Sequence, residues 1–414
     1  MTRPMPDNRH WPRRPLSGSA PIAIRQSPLV SVCSEIGRGH PAYLDSVLLA
    51  LARMAADSGL GHDPKSSADF GHVPRLTVPE LCTGTSGLAW STARAAYRLG
   101  AKGGLLTWAY NRLRSADSRP SALQLSILGS SLRRKFAGFT GIVLVDHPLL
   151  AHILAPVCRV AYLHCEIAAP ALSAVPGAWR TFVPLESTAS KLEALGVRRE
   201  ALTVTGLVVE PELVDVAESA LQARITRLAS DQPLTVGFFA SGAEPRPHSL
   251  NLVTGASSVT RAGHKAILAW GMGWLKATKV QLALRREGAA DESFRVIWAR
   301  SRRAATTAIA GVFPELDLMV CAAHERTNWA VGLGLPVFAL LPHIGPFAAG
   351  NYAFASEQGT CLPLAGAACA AGLADTINGL RRSGRLVEMA RNGWGRHAIT
   401  GAADCARLLL NEAG

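Results

Sequence analysis

The sequence contains no uninterrupted run of about 18 apolar residues, so nothing in it reads as a helix that spans a bilayer. The nearest approach, 329–354, is uncharged but holds four glycines, three prolines and His343, which suits a buried sheet and its loops. No CxxC pair occurs among the eight cysteines. Cys33, Cys158 and Cys321 fall in apolar, strand-like runs, where cysteine acts as a small hydrophobe, so reduced thiols and no zinc site are expected. The first 26 residues lack an apolar stretch of secretory type and are rich in Pro, Arg and Ser, the composition of a disordered basic arm. Charge is also sparse, at 18% of 414 residues against 48% apolar. That balance excludes extensive disorder, and the length accommodates two domains with separate cores in a cytoplasmic globular protein.

The formal net charge of +13 is unevenly placed. Nine basic residues (Arg94, Arg98, Lys102, Arg112, Arg114, Arg119, Arg133, Arg134 and Lys135) face a single acid, Asp117, over 94–135. Tyr97, Leu105, Leu106, Trp108 and Tyr110 are interleaved with them. Such a segment is either the solvated face of helices in a basic protein or a surface for phosphate-bearing partners, an anionic leaflet before nucleic acid. No nucleic-acid motif accompanies it.

Strand and helix signals alternate in two series. Apolar runs at 29–33, 142–146, 160–164, 181–184 and 202–205 read as strands of the first, with helices at 41–55 and 187–195. A more polar stretch after Gly206 contains a linking helix. A second series has strands at 235–240, 280–284, 294–299, 318–321 and 337–341. The expected class is α/β, with two doubly wound, Rossmann-like domains facing a cleft. The divisions are a 27–208 domain that binds an acceptor, a 209–232 linker, a 233–395 domain that binds a nucleotide sugar, and a helix at 396–414. In 317–350 an apolar strand enters the polar turn His324, Glu325, Arg326, Thr327 and Asn328, then an apolar helix, a Gly-Leu-Pro stop and a further strand. Polar groups gathered at that edge of a parallel sheet stand where ligands bind.

Four motifs occur in order: Glu35-Ile-Gly-Arg-Gly-His40 after the first strand, Val204-Thr205-Gly206 before the linker, Ala240-Ser241-Gly242-Ala243 opening the second half, and Gly334-Leu335-Pro336 followed by Asn351 and Ala353. Together they resemble the GT-B fold glycosyltransferases of the group containing monogalactosyldiacylglycerol synthase, diacylglycerol glucosyltransferases and the GlcNAc transferase of lipid II synthesis, over about Leu29 to Gly359. The sequence departs from that pattern at Ala322-Ala323-His324, where a Ser-Gly-Gly-type turn is usual, at Trp329, which stands for a glutamate, and before Asn351, where a glutamine is missing. The third glycine of a dinucleotide fingerprint is also missing from the first turn.

The resemblance implies an inverting hexosyltransferase that needs no cofactor beyond its nucleotide-sugar donor, a UDP-sugar, and that positions the diphosphate without a metal. His40 would take the acceptor hydroxyl proton or position the acceptor, or else act only as a helix-start residue that bonds backbone or phosphate. Gly37 and Gly39 allow backbone close to the ligand. Ser241 and Gly242 would form one phosphate cradle and His324, Thr327 and Asn328 another, with Asn351 nearby and Glu325 either on a ribose hydroxyl or serving as an ion pair with Arg326 or a helix-start acid. Asp146 and His147 end a strand on the same edge as His40, where Asp146 either assists a histidine or caps a helix. His164-Cys165-Glu166 has neither metal nor nucleophile spacing and reads as cleft wall. The basic segment implies a lipid or membrane-associated acceptor and peripheral contact with the inner face of the membrane. The alternatives are a nonhydrolysing UDP-sugar epimerase and a non-catalytic binding protein of the same fold.

Overall fold

The computed structural model describes residues 27–37, 39–57, 73–100, 104–113, 118–242 and 244–413. The expected basic arm and, within the basic segment, Lys102, Arg114 and Asp117 lie outside the described residues.

Each half of the chain begins with a strand buried along its whole length, β1 (Leu29–Cys33) in the first and β7 (Thr235–Phe239) in the second. Such strands read as continuous apolar runs because both faces of a parallel sheet are covered. From β1 the chain forms α1 (Gly39–Asp57) and β2 (Arg75–Thr77). It then winds through α2 (Gly84–Gly100), α3 (Gly104–Leu113) and α4 (Ala122–Phe136) before returning to β3 (Ile142–Val145) on the other side of β1. The helix α5 (Pro148–Leu154), β4 (Arg159–Leu163), β5 (Arg180–Val183), α6 (Glu186–Ala194) and β6 (Leu202–Val204) complete this half. The sheet order is β2-β1-β3-β4-β5-β6, with all pairs parallel.

After α7 (Ala217–Ala229), the second half runs from β7 through α8 (Arg246–Arg261), β8 (Lys265–Met272), α9 (Trp274–Arg286) and β9 (Phe294–Ala299). It then continues with α10 (Arg302–Val312), β10 (Leu318–Cys321), α11 (Thr327–Gly332), β11 (Val337–Leu340), α12 (Ala348–Glu357) and β12 (Cys361–Leu364). This sheet is also wholly parallel, in the order β12-β11-β10-β7-β8-β9. Each sheet has an apolar core on both faces.

One expected strand is a helix. Residues 280–284 lie inside α9, where Ala277, Val280 and Leu284 form the buried side at helical spacing. The strand between β7 and β9 is β8 instead, and β2 and β12 were not anticipated. The stretch expected as a linker contributes Leu221 and Leu228 of α7 to the core of the second sheet. The last helix, α13 (Gly401–Ala413), packs Ala402, Cys405, Ala406 and Leu409 against Tyr43, Leu44, Val47 and Leu51 of α1 in the first half.

The direction of winding reverses between β1 and β3 in one sheet and between β7 and β10 in the other. A crevice opens at such a switch point, beyond the carboxyl ends of the strands.

Candidate active site

The two switch points face each other. Beyond β1 the turn Ser34–Gly39 uses left-handed backbone twice, at Glu35 (φ 53°) and Gly37 (φ 70°). For glutamate that conformation is strained, and the surroundings hold it in place. Buried Asp146, just after β3, accepts the Ser34 N–H at 2.9 Å and the Ser34 hydroxyl at 3.3 Å. The Glu35 carboxylate is paired with Arg302 at 3.4 Å and Arg75 at 3.6 Å. The turn then passes so near the second half that a Cβ on Gly39 would lie 2.9 Å from Glu325 Oε2. A side chain at this position would crowd the end of the Glu325 side chain.

His40 begins α1, with its ring edge-on to His147 at 5.1 Å and to Phe347 at 5.4 Å between centroids. His147 caps α5: its Nδ1 accepts the Leu149 N–H at 3.2 Å, which leaves Nε2 to carry the proton of the neutral ring. The helix cap is thus His147, and Asp146 braces the β1 turn. Burial pushes Asp146 up to about 6 in spite of those hydrogen bonds.

Gly37, Gly39, His40, His147, Ser241, Gly242, His324 and Glu325 all line one cleft, which with its open mouth encloses about 690 Å³. Small-molecule sites have this mixture of apolar walls and a few convergent polar groups. Thr327, Asn328 and Asn351 do not line it. Asn328 Nδ2 donates to the Val208 carbonyl at 3.1 Å, joining the two halves. The Asn351 amide is fully engaged by protein: Oδ1 accepts the Ala168 N–H, and Nδ2 donates to Glu166 Oε2 at 2.6 Å and to the Ala323 carbonyl at 3.2 Å.

Glu166, read as wall from the sequence, is a titratable group of the cleft itself. Desolvation, opposed by the Asn351 bond and reinforced by the Glu325 charge, pushes its carboxyl up to about 8, so it is protonated at neutral pH. His324 is held below its ordinary range by burial, with Glu325 acting against that. His164, behind Phe347, is driven down to about 3 by burial and by His40. The site thus joins a histidine held neutral by burial, His324, a neutral acid, Glu166, and an ion-paired carboxylate, Glu325, which meets Arg326 at 2.8 Å.

A second cavity of about 660 Å³ adjoins the first through Glu325. Its walls include Trp298, Ile309 and Trp329. Trp329 Nε1 donates to Glu210 at 2.9 Å, and the Arg326 guanidinium lies over the Trp329 and Phe239 rings. At its edge, Arg302 of α10 meets Asp45 of α1 at 2.6 Å, and Arg75 meets the same carboxylate at 2.6 Å. Neither aromatic wall was anticipated, although tryptophan in a basic, apolar segment is the signal that points to it.

No protein-family model matches the chain, and no curated protein matches its sequence. Solved structures do match its fold. The UDP-GlcNAc 2-epimerase of Neisseria meningitidis, bound to UDP-GlcNAc, superposes with a TM-score of 0.53 at 11% identity, over 93% of this chain and 98% of that one. A putative UDP-N-acetylglucosamine 2-epimerase of Listeria monocytogenes gives 0.54 at 12% identity, over 93% and 95%. The lipopolysaccharide outer core galactosyltransferase WaaB gives 0.41 at 11% identity, over 93% and 98%, a likeness too loose to weigh. Two parallel six-stranded sheets whose switch points share a cleft, with these superpositions, identify the architecture: the chain has the GT-B fold.

Proposed function

We propose that this protein transfers a hexosyl group from a UDP-sugar to a lipid acceptor presented at an anionic membrane surface. The observation that carries the reading is that α2–α4, the helices of the basic segment, leave large apolar side chains exposed to solvent. Leu88, Leu99, Leu105, Leu106, Trp108, Leu123 and Ile127 are exposed there, Leu105 at 83%. Arg94, Arg112, Arg119, Arg133, Arg134 and Lys135 belong to the same segment, and Tyr97 of α2 reaches the cleft lining. Exposed apolar side chains in a basic segment are the chemistry of a surface that sits in an anionic lipid interface. Among the described residues no helix is long and apolar enough to cross a membrane, so this contact would be peripheral.

In this reading the base of the donor occupies the Trp298–Trp329 cavity and its ribose meets Glu325. The diphosphate lies toward Ser241, Gly242 and His324. His40 receives the proton of the acceptor hydroxyl as the glycosidic bond forms and UDP departs, and neutral Glu166 stands as a hydrogen-bond donor to the sugar. The test is incubation with UDP-sugars and diacylglycerol or polyprenyl-phosphate lipids dispersed in vesicles. UDP release that requires the lipid, with a glycosylated lipid product, is the expected result. Release without lipid, or none, overturns the assignment.

An epimerase is the second reading, favoured by one observation: the cleft and its wall carry two carboxyls with raised proton affinity, Asp146 and Glu166, beside three histidines, a set suited to moving protons within a bound sugar nucleotide. An epimerised UDP-sugar formed without any acceptor would establish it.

A further inference from the structure

Asn111 lies one turn beyond exposed Trp108 on α3, and its amide is spent on a loop of the other half. Oδ1 accepts the Gly345 N–H at 3.0 Å, and Nδ2 donates to the His343 carbonyl at 2.9 Å. These two bonds join the helix that carries Leu105, Leu106 and Trp108 to the loop 343–347, four residues of which line the cleft. Phe347, at the end of that loop, is 6% exposed and stands between His40 and His164, at 5.4 Å and 6.2 Å between ring centroids. An acceptor hydroxyl that delivers its proton to His40 must enter space next to that ring.

The helix on the other end of the tie is lightly held. α3 packs chiefly on α2, and Leu105, Leu106 and Trp108 face solvent at 83%, 53% and 61% exposure. Elements with so little buried apolar surface move at low free-energy cost, and this one gains by burying those side chains in a lipid interface.

We propose that Asn111 is a positioning residue that couples α3 to the cleft. With α3 in water, the amide holds the 343–347 loop down and keeps Phe347 over His40. When Leu105, Leu106 and Trp108 enter an anionic lipid surface, the amide is drawn off the loop, Phe347 swings out and the acceptor can reach His40. The idea rests on the lipid-acceptor reading above and adds a direction to it: the site opens where its substrate is found.

Hydrogen–deuterium exchange on the full chain tests this, with vesicles of phosphatidylcholine alone or mixed with phosphatidylglycerol. In the wild type, mixed vesicles should slow exchange in 104–113 and speed it in 343–349 roughly tenfold, as loss of two hydrogen bonds allows. Asn111→Leu should show the fast loop exchange without vesicles and no further response to them. Asn111→Asp, which keeps the acceptor for the Gly345 N–H, should fall between. If mixed vesicles protect α3 and the loop exchange does not change, the coupling is wrong and the lipid reading survives. Unchanged exchange in α3, with no protein retained by the vesicles, removes both. Loop exchange in Asn111→Leu equal to the wild type also overturns the coupling, whatever the vesicles do.

Discussion

Gly39 separates function from stability in one substitution. In Gly39→Ala the new methyl meets the far end of the Glu325 side chain, which can swing aside with little cost to the fold. Displacement of Glu325 would misplace the donor, so turnover should drop on the order of 100-fold while the melting temperature hardly moves. Steady-state rates beside a thermal melt decide it, and a variant with normal turnover would remove Glu325 from the site. Glu166 offers a pH test. Its folded-state proton affinity is raised from 4.5 to about 8, so its contribution to stability is complete below 4.5 and is lost as pH rises to 8. Glu166→Gln, uncharged throughout, should match the wild type near pH 5 and exceed it above pH 8 in melting temperature. Parallel pH profiles would count against a buried neutral acid. Why Glu166 escaped the sequence is plain: its raised proton affinity comes from burial and from the charge of Glu325, which belongs to the other half of the chain. The His40 turn was legible because a strand, a glycine-rich turn and a helix are contiguous. Asn328 and Asn351 read as ligand groups for the converse reason, since a buried amide that joins two halves of a chain has the same local sequence as one that binds substrate.

At the scale of elements, α12 depends on its first turn. Asn351→Ala strands the Ala168 N–H, the Ala323 carbonyl and the Glu166 carboxyl in a buried place, which should cost about 3 kcal/mol in urea unfolding. A loss within experimental error would mean that water replaces the amide. The buried strands β1, β3, β7, β10 and β11 were readable because parallel strands covered on both faces are plain apolar runs. β2 and β12 were not, because three or four residues at a sheet edge carry little pattern. In 280–284, Val-Gln-Leu-Ala-Leu satisfies strand and helix alike over five residues, and only the wider spacing of Ala277, Val280 and Leu284 settles it as one side of α9.

Over the whole molecule, polar ties hold the halves together. Arg302→Ala removes the bridge from α10 to Asp45 and Glu35, whose side chains are 29% and 32% exposed. The stability cost should be about 1 kcal/mol or less. The visible change is expected in shape, as a larger radius of gyration in small-angle scattering and less difference between low and high salt. An unchanged radius would assign closure to Asn328 and Asn351 instead. UDP binding should raise the melting temperature by the equivalent of about 2.7 kcal/mol at a hundredfold excess over Kd, and His324→Ala combined with Glu325→Ala should abolish that rise. An undiminished rise in the double variant would move the donor elsewhere. The packing of α13 on α1 carries a consequence for how the protein is made. The first half is synthesised first, yet the core around Tyr43, Leu44 and Val47 of α1 includes Ala402, Cys405, Ala406 and Leu409 of α13, which follows the second half in the chain. During translation that part of the core stays incomplete until α13 leaves the ribosome, so the half that emerges first is finished only after the second, and a product stalled before α13 would leave apolar surface of α1 open to chaperones and proteases.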